Sequence, residues 1–211
     1  MQIIGLDRAG WPFILGAIVV ALLGAWLGGR WAAVPGALLA IAFVFFFRDP
    51  ERLLPNDQSL ILSPADGKVM AVGPAGADSP PGTWQQITIF LSPMDVHVNR
   101  SPFSGRVTRV THKVGQFLPA YKPESGAANE QSEIWVEHDG RTGVFRQVVG
   151  LLARRVVTRV QEGDVLVVGQ RIGVMKFGSR MDVFLPAGLP VRVQKGDHVV
   201  AAETVLAQWD R

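Results

Sequence analysis

The chain changes character once along its length. From Trp11 to Phe47 nearly every position is apolar and the only charge is Arg30, whereas later apolar runs are short and alternate with Gly, Pro and Asp. A bilayer-crossing helix needs about 20 apolar residues, with roughly 17 as the lower limit. The first stretch is long enough for two such helices and too long for one. Gly28-Gly29-Arg30 supplies the break: two residues of low helix propensity, then a charge that is costly at mid-bilayer. The pattern predicts helices over residues 11–28 and 31–47, folded as a hairpin. Trp11, Trp26 and Trp31 fall near the helix ends, where indole rings favour a membrane interface. Arg48, Asp49, Glu51 and Arg52 then stop the second helix. Both spans are short, so a transmembrane hairpin and an interfacial one stay open. A soluble helical hairpin is disfavoured because the rest of the chain has no need of two helices apolar on every face. A cleaved signal peptide is disfavoured because the apolar stretch is too long. A hairpin puts both ends on one side, and Arg8, Arg48 and Arg52 flank it there against Arg30 in the turn. That bias places the following domain on the cytoplasmic face of the cell membrane.

After Phe47 the pattern changes to period two. Runs at residues 67–72, 86–91, 105–111, 133–137 and 144–149 are rich in Val, Ile, Thr and Phe and bounded by turn residues, which predicts short strands joined by tight turns. No amphipathic helix longer than about three turns is visible. Residues 118–132, rich in Pro, Gly, Ala and Ser, read as a loop laid over a barrel. One internal repeat stands out: Val160-Gln-Glu-Gly-Asp-Val165 recurs as Val193-Gln-Lys-Gly-Asp-His198. In both copies Gly-Asp suits a turn between strands, since Gly tolerates positive φ and Asp bonds its own backbone. The repeat resembles the half-motif of biotinyl and lipoyl carrier domains. The predicted architecture is therefore mainly β, a barrel-sandwich domain at residues 48–211 behind a helical hairpin at residues 1–47. His198 falls in the repeat's turn and is given no role.

Composition narrows the chemistry. The 211 residues include no Cys, which removes disulfides, thiolate metal sites and Cys nucleophiles, and no metal is expected. The net charge of +3 suits an anionic partner, but Lys and Arg are scattered, and Arg154-Arg155 is their only adjacent pair. A nucleic-acid surface fits poorly; an anionic membrane fits better.

Three short motifs carry the chemistry: Ser63-Pro-Ala-Asp-Gly67, Ser92-Pro-Met-Asp-Val-His97, and Lys176-Phe-Gly-Ser-Arg180 running on to Pro186. Singly, Asp66-Gly67 is a turn, His97 a strand histidine and Gly178-Ser179 a loop. Together, in this order, with Asn129-Glu130 and residues 150–157 between them, they resemble the phosphatidylserine decarboxylase family, in particular its short bacterial and archaeal branch. The resemblance covers residues 48–211. It implies a proenzyme in which Ser179 Oγ attacks the Gly178 carbonyl and the amide becomes an ester. Elimination then frees residues 1–178, and residue 179, at the head of 179–211, becomes a pyruvoyl group. Such a carbonyl forms a Schiff base with the substrate amine and takes up the electrons of the breaking Cα–carboxylate bond, work that serine cannot do. Gly at 178 suits the attack, because a missing Cβ tolerates a strained turn.

The resemblance further implies that Asp66 and a histidine activate Ser179, and that His97 serves decarboxylation by proton delivery. Here the chain departs from the longer family members, which carry a second histidine where this chain has Arg100. Either His97 serves both steps or another residue assists, with His138 and His112 as candidates. The implied product is phosphatidylethanolamine, the implied partners are membrane phosphatidylserine and the chain's own two fragments, and a homo-oligomer stays open. Archaetidylserine and other serine-headed lipids are not separable from phosphatidylserine by these motifs. Arg154, Arg155, Lys176 and Arg180 are candidates for lipid phosphate. The rival function is a membrane-tethered biotinyl or lipoyl-like carrier or adaptor. Against the carrier, Gly169-Gln170 stands too close to Lys176, which puts that lysine inside a strand. Against the adaptor, the long helical hairpins such proteins carry are missing.

Overall fold

A computed structural model describes residues 4–57, 59–151, 156–176 and 178–209. The chain divides into two compact units, Met1–Glu51 and Arg52–Arg211. In the first, an α-helix at Trp11–Gly28 is followed by a 3-10 turn at Arg30–Ala33 and a second α-helix at Val34–Phe46. The first matches the expected bounds. The second starts later, because Pro35 sits in its first turn, where its fixed φ and missing N–H cost nothing. Gly29, at φ +77°, makes the reversal. The helices approach closely through small residues: a Cβ on Gly36 would lie 2.5 Å from the Ala21 nitrogen. Phe13 and Phe43 meet with ring centroids 5.4 Å apart. A two-stranded ribbon, Ile4–Leu6 with Arg48–Pro50, ties the ends of the hairpin, so residues 48–51 stay with the helices. Leu15, Val19, Leu22, Leu23, Trp26, Leu27, Leu38 and Ile41 are all exposed. Among the described residues, one helical run, Arg8–Gly28, is long and apolar enough to cross a membrane; the run Arg30–Phe46 is shorter than that.

The second unit is built on an eight-stranded antiparallel sheet. In spatial order its strands are Val165–Leu166, Gly105–Lys113, Gln131–His138, Arg141–Val149, Ser179–Pro186, Trp84–Leu91, Gly67–Pro74 and His198–Val199. The sheet curls so that one face becomes an interior. Alternate residues point there: Val69, Ile87, Ile89, Leu91, Ile134, Val136, Phe145, Met181 and Val183 are buried in one cluster. A three-stranded sheet (Val156–Thr158, Arg171–Met175, Val98–Arg100) and a strand pair (Leu60–Leu62 with Val205–Gln208) complete the unit. They supply Ile61, Ile172, Met175 and Leu206 to the same core. The expected strands are present, each longer than the pattern indicated. The segment 118–132 is only partly a loop: Ser125–Ala128 is a short helix and Gln131 begins a strand.

The sequence repeat is also a structural one. In the first copy Gly163 N–H donates to Val107 O (2.9 Å) and Val107 N–H to Asp164 O (2.8 Å). In the second, Gly196 N–H donates to Val69 O (2.8 Å) and Val69 N–H to Asp197 O (2.8 Å). Asp164 and Asp197 each accept from the backbone N–H three residues earlier, both at 2.9 Å. The strands these turns meet are themselves related: Ser63-Pro-Ala-Asp-Gly67 has a counterpart in Ser101-Pro-Phe-Ser-Gly105. Ser63 Oγ donates to Ala65 O and Ser101 Oγ to Phe103 O, each at 2.7 Å. These segments are thus two interleaved copies of one unit within the domain, and the second Ser-Pro copy escaped the sequence reading. Lys176 stands just past the end of the Arg171–Met175 strand rather than inside it, and is half-buried, not presented on a hairpin tip.

Candidate active site

The Ser179–Pro186 strand lies between Arg141–Val149 and Trp84–Leu91, which makes its first residue central in the sheet. Ser179 faces Val149 on one side and Leu91 on the other and is wholly buried. Its Oγ makes no hydrogen bond among the described residues. Gly178 precedes it at φ +74°, a left-handed conformation that a residue with a Cβ adopts at a cost. The Gly178 carbonyl lies tight against Gly150: a Cβ built on Gly150 would be 2.1 Å from that oxygen and 3.0 Å from its carbon.

His97 reaches this bond from the segment between two strands. Its Nδ1 lies 2.9 Å from Asp95 O, and its Nε2 accepts the Gly178 N–H at 3.2 Å. A carbonyl can only accept, so Nδ1 carries the proton and the one lone pair of Nε2 takes the Gly178 N–H, on the amide that precedes the Gly178-Ser179 bond. His97 is fully buried. This is the tautomer a general base requires. The structure therefore brings together His97, Gly178 and Ser179 from two of the three motifs.

Asp66 is not brought to them. By register its motif lies two strands from Ser179, a separation of about 10 Å. Both its oxygens take Arg52 Nη2 at 2.8 Å, and Oδ1 also accepts the Ala201 N–H at 2.8 Å. The internal repeat explains the second bond. Ser104, the counterpart of Asp66, accepts the Val168 N–H at 3.0 Å in the same way. Arg100 Nη1 turns to Gly169 O (3.3 Å). His138 bonds Ser104 O through Nδ1 at 2.9 Å and stacks on Trp209. It lies at the far end of the strands. His112 is three strands from Ser179, about 14 Å by strand spacing, with its Nε2 3.7 Å from Glu130. Neither alternative histidine shares the site.

Arg180 is also spent: its Nε donates to the buried Asp182 Oδ1 at 2.7 Å and its Nη1 to Pro123 O at 3.3 Å. It holds the segment around Pro123 rather than presenting an open cation. Arg154 and Arg155 lie outside the described residues. Two residues that the sequence offered only as parts of connecting segments, with no role, have clear parts. Asn129, fully buried, donates to Leu118 O (2.8 Å) and Val149 O (2.7 Å) and accepts from Leu118 N–H (2.9 Å). It fastens the 118–121 segment to the residue opposite Ser179. Gly150 gives the Gly178 carbonyl its room. Their only sequence signal was position: Asn129 and Gly150 stand in the segments connecting the motifs.

That segment roofs a cavity of about 240 Å³ lined by Phe90, Pro93, Pro119, Tyr121, Leu151 and Gly178. Its walls are almost wholly apolar, and Tyr121 (57%) and Leu151 (61%) form an exposed rim. A larger cavity of about 430 Å³, bordered by Lys195, Asp78 and Arg180, lies beyond Tyr121.

A buried histidine bonded to the glycine of a Gly-Ser pair, beside an apolar cavity in a curled β-sheet, has the make-up of a catalytic domain, here preceded by an apolar helical unit. Residues 39–207 match the family model described as phosphatidylserine decarboxylase. Three curated relatives are similar over nearly the whole chain, each named phosphatidylserine decarboxylase proenzyme. That of Nitrosomonas europaea is 41% identical over 203 residues, covering 96% of this chain and 94% of the relative. That of Solibacter usitatus is 42% identical, covering 93% of each. That of Erythrobacter litoralis is 43% identical, covering 97% of this chain and 92% of the relative. The chain belongs to the phosphatidylserine decarboxylase family.

Proposed function

We propose that the chain is a proenzyme that cuts itself between Gly178 and Ser179 and then decarboxylates phosphatidylserine to phosphatidylethanolamine and carbon dioxide. The observation that carries this reading is the His97 lone pair held 3.2 Å from the Gly178 nitrogen, next to a buried, unpartnered Ser179 Oγ. His97 Nε2 releases the Gly178 N–H and takes the Ser179 proton, Oγ bonds to the Gly178 carbonyl carbon, and the C–N bond to Ser179 breaks as its nitrogen takes that proton back. The resulting ester is a leaving group at Ser179 Cβ. Loss of the Cα proton expels the Gly178 carboxylate and leaves an alkene that water converts to a carbonyl, releasing ammonia.

A pyruvoyl group fits residue 179, because replacing a hydroxyl that bonds to nothing forfeits no hydrogen bond, and the neighbouring apolar cavity gives a substrate access. When formed, that group supplies the electron-accepting carbonyl which decarboxylation requires. His97 then stands within reach of the substrate Cα and delivers the proton that replaces the carboxylate. Asp66 supports from a distance, as a positioning residue that clamps Arg52 and the Ala201 turn. Tyr121 and Leu151 are apolar contacts for the lipid at the cavity mouth. The helical unit anchors the domain at residues 1–47, and the catalytic domain faces the cytoplasm.

Mass spectrometry of the purified protein tests the reading. Fragments 1–178 and 179–211 are expected, the shorter beginning with pyruvate in place of serine, and Ser179→Ala is expected to stay whole and inactive. An active enzyme made of one intact chain with an ordinary Ser179 would refute it.

A further inference from the structure

Two residues beyond His97, Asn99 ends a line of buried polar contacts that the self-cleavage reading leaves unused. Thr158 Oγ donates to Gln147 Oε1 at 2.9 Å, and Gln147 Nε2 donates to Asn99 Oδ1 at 2.8 Å. With its oxygen occupied, Asn99 is left with its Nδ2 donor, which is buried and has no acceptor among the described residues. Asn99 and Gln147 are both completely buried. Folds seldom leave a dehydrated donor unmet, and such a group calls for a partner at some stage of the protein's work.

A complementary orphan is nearby. Met181 faces Gln147 and Ser179 faces Val149, so Gln147 is the diagonal neighbour of Ser179 on the same sheet face, about 7 Å away. Asn99 projects onto Gln147, while His97, from the same segment, projects onto Gly178. Ser179, with its unpartnered Oγ, adjoins Gly178 along the chain and Gln147 across the sheet.

The geometry points to Asn99 as a third member of the self-cleavage site, its Nδ2–H meeting Ser179 Oγ as that oxygen attacks. The inference rests on the self-cleavage reading. The proton of Oγ goes to His97 Nε2, the Oγ–carbon bond to Gly178 forms, and the Gly178 C–N bond breaks with return of the proton to nitrogen. Asn99 transfers nothing. It donates to one lone pair of Oγ and leaves the other free for the attack, so its effect is to hold the oxygen in place. It also aims the hydroxyl, whose rotation nothing else restrains. This accounts for a site that works with Arg100 in the second histidine's place: the added help is a donor, and it comes from the residue before.

A pulse-chase of newly translated full-length chain tests this, with wild type, Asn99→Ala, Asn99→Asp and Thr158→Val compared for cleavage half-time and melting temperature. Losing the group that aims a reacting atom can slow a reaction on the order of a hundred-fold, and that is expected for Asn99→Ala. Its arrested precursor should give no fragment with hydroxylamine, which cuts esters, because the block precedes the ester. Thr158→Val breaks the same buried line at its other end, so it should melt lower yet cleave close to the wild-type rate. Asn99→Ala cleaving at the wild-type rate, or slowed only in step with Thr158→Val, overturns the proposal. Should Asn99→Ala fail to fold, Asn99→Asp decides: it keeps the shape and the Gln147 bond but trades the donor for an acceptor. Slow cleavage is expected, and a folded Asn99→Asp at or above the wild-type rate overturns the proposal. A wild-type chain that never cuts would instead sink the self-cleavage reading itself.

Discussion

Gly150→Ala offers a direct measure of how tightly the Gly178 carbonyl is held. The added Cβ would sit 2.1 Å from Gly178 O and 3.2 Å from Ala120 Cβ, so it is pinned on two sides. Real Cβ contacts start near 3.0 Å, so the carbonyl must retreat by about 1 Å. Displacement of that size at a reacting centre can cost on the order of a hundred-fold in rate. The same insertion is overpacking, worth about 1–3 kcal/mol of stability. The two effects separate with a control. Gly143 is at the other end of the neighbouring strand, and a Cβ there would lie 2.4 Å from the Phe103 ring, far from residue 178. Gly143→Ala should therefore lose comparable stability and still cut itself. The assay is the fraction of uncut chain against time after a translation pulse, read on a denaturing gel, with melting curves of the purified proteins alongside. A folded Gly150→Ala that matures as fast as wild type would refute the reasoning. So would equal slowing in both variants at equal loss of stability.

Further outcomes follow from the same geometry. His97→Ala should leave an uncut chain, since it removes the proposed base beside Gly178; normal maturation with loss of decarboxylation alone would restrict His97 to the second step. Asp66→Ser should keep the Ala201 cap, as Ser104 keeps its own, but lose the Arg52 pair. It should lower stability by about 1–3 kcal/mol while still cutting itself, and an uncut but folded variant would return Asp66 to a direct part in the chemistry. Deleting residues 1–47 should spare self-cleavage and sharply lower turnover on vesicles. Turnover on a short-chain, water-soluble phosphatidylserine should fall much less, because long-chain lipid is held in the bilayer by about 0.8 kcal/mol per methylene. Equal losses on both substrates would make the hairpin part of the catalytic fold. Leu151→Glu at the cavity mouth should raise KM for vesicle substrate with little change in self-cleavage, measured on the same preparation.

Most of the architecture could be read from local pattern. The apolar stretch with its Gly-Gly-Arg break gave the hairpin, because helix length and reversal depend only on nearby residues. Period-two runs gave the long strands for the same reason. Their ends were read short: pairing partners extend a strand past the point where its own residues stop favouring one, as at Gly105–Lys113. The short helix at Ser125–Ala128 left no periodic signal, since four residues make barely one turn.

The site divides along the same line. The Gly-Ser bond, the histidine and the glycine at the turn were visible as motifs, because their chemistry and backbone needs are written in single residues. The repeat turns were visible too, but not the second Ser-Pro-x-x-Gly copy that meets them, although its spacing stood in the sequence. Only the tertiary structure decided which groups meet. His97 and Gly178 are 81 residues apart, and whether an imidazole lands on that amide depends on the register of intervening strands. The same register carried Asp66 away to Arg52 and Ala201, withdrew His112 and His138, and lined up Thr158, Gln147 and Asn99 beside Ser179. A shift of one residue in any of those strands would turn its side chains to the opposite face, and no local pattern of residues fixes such an alignment across the sheet.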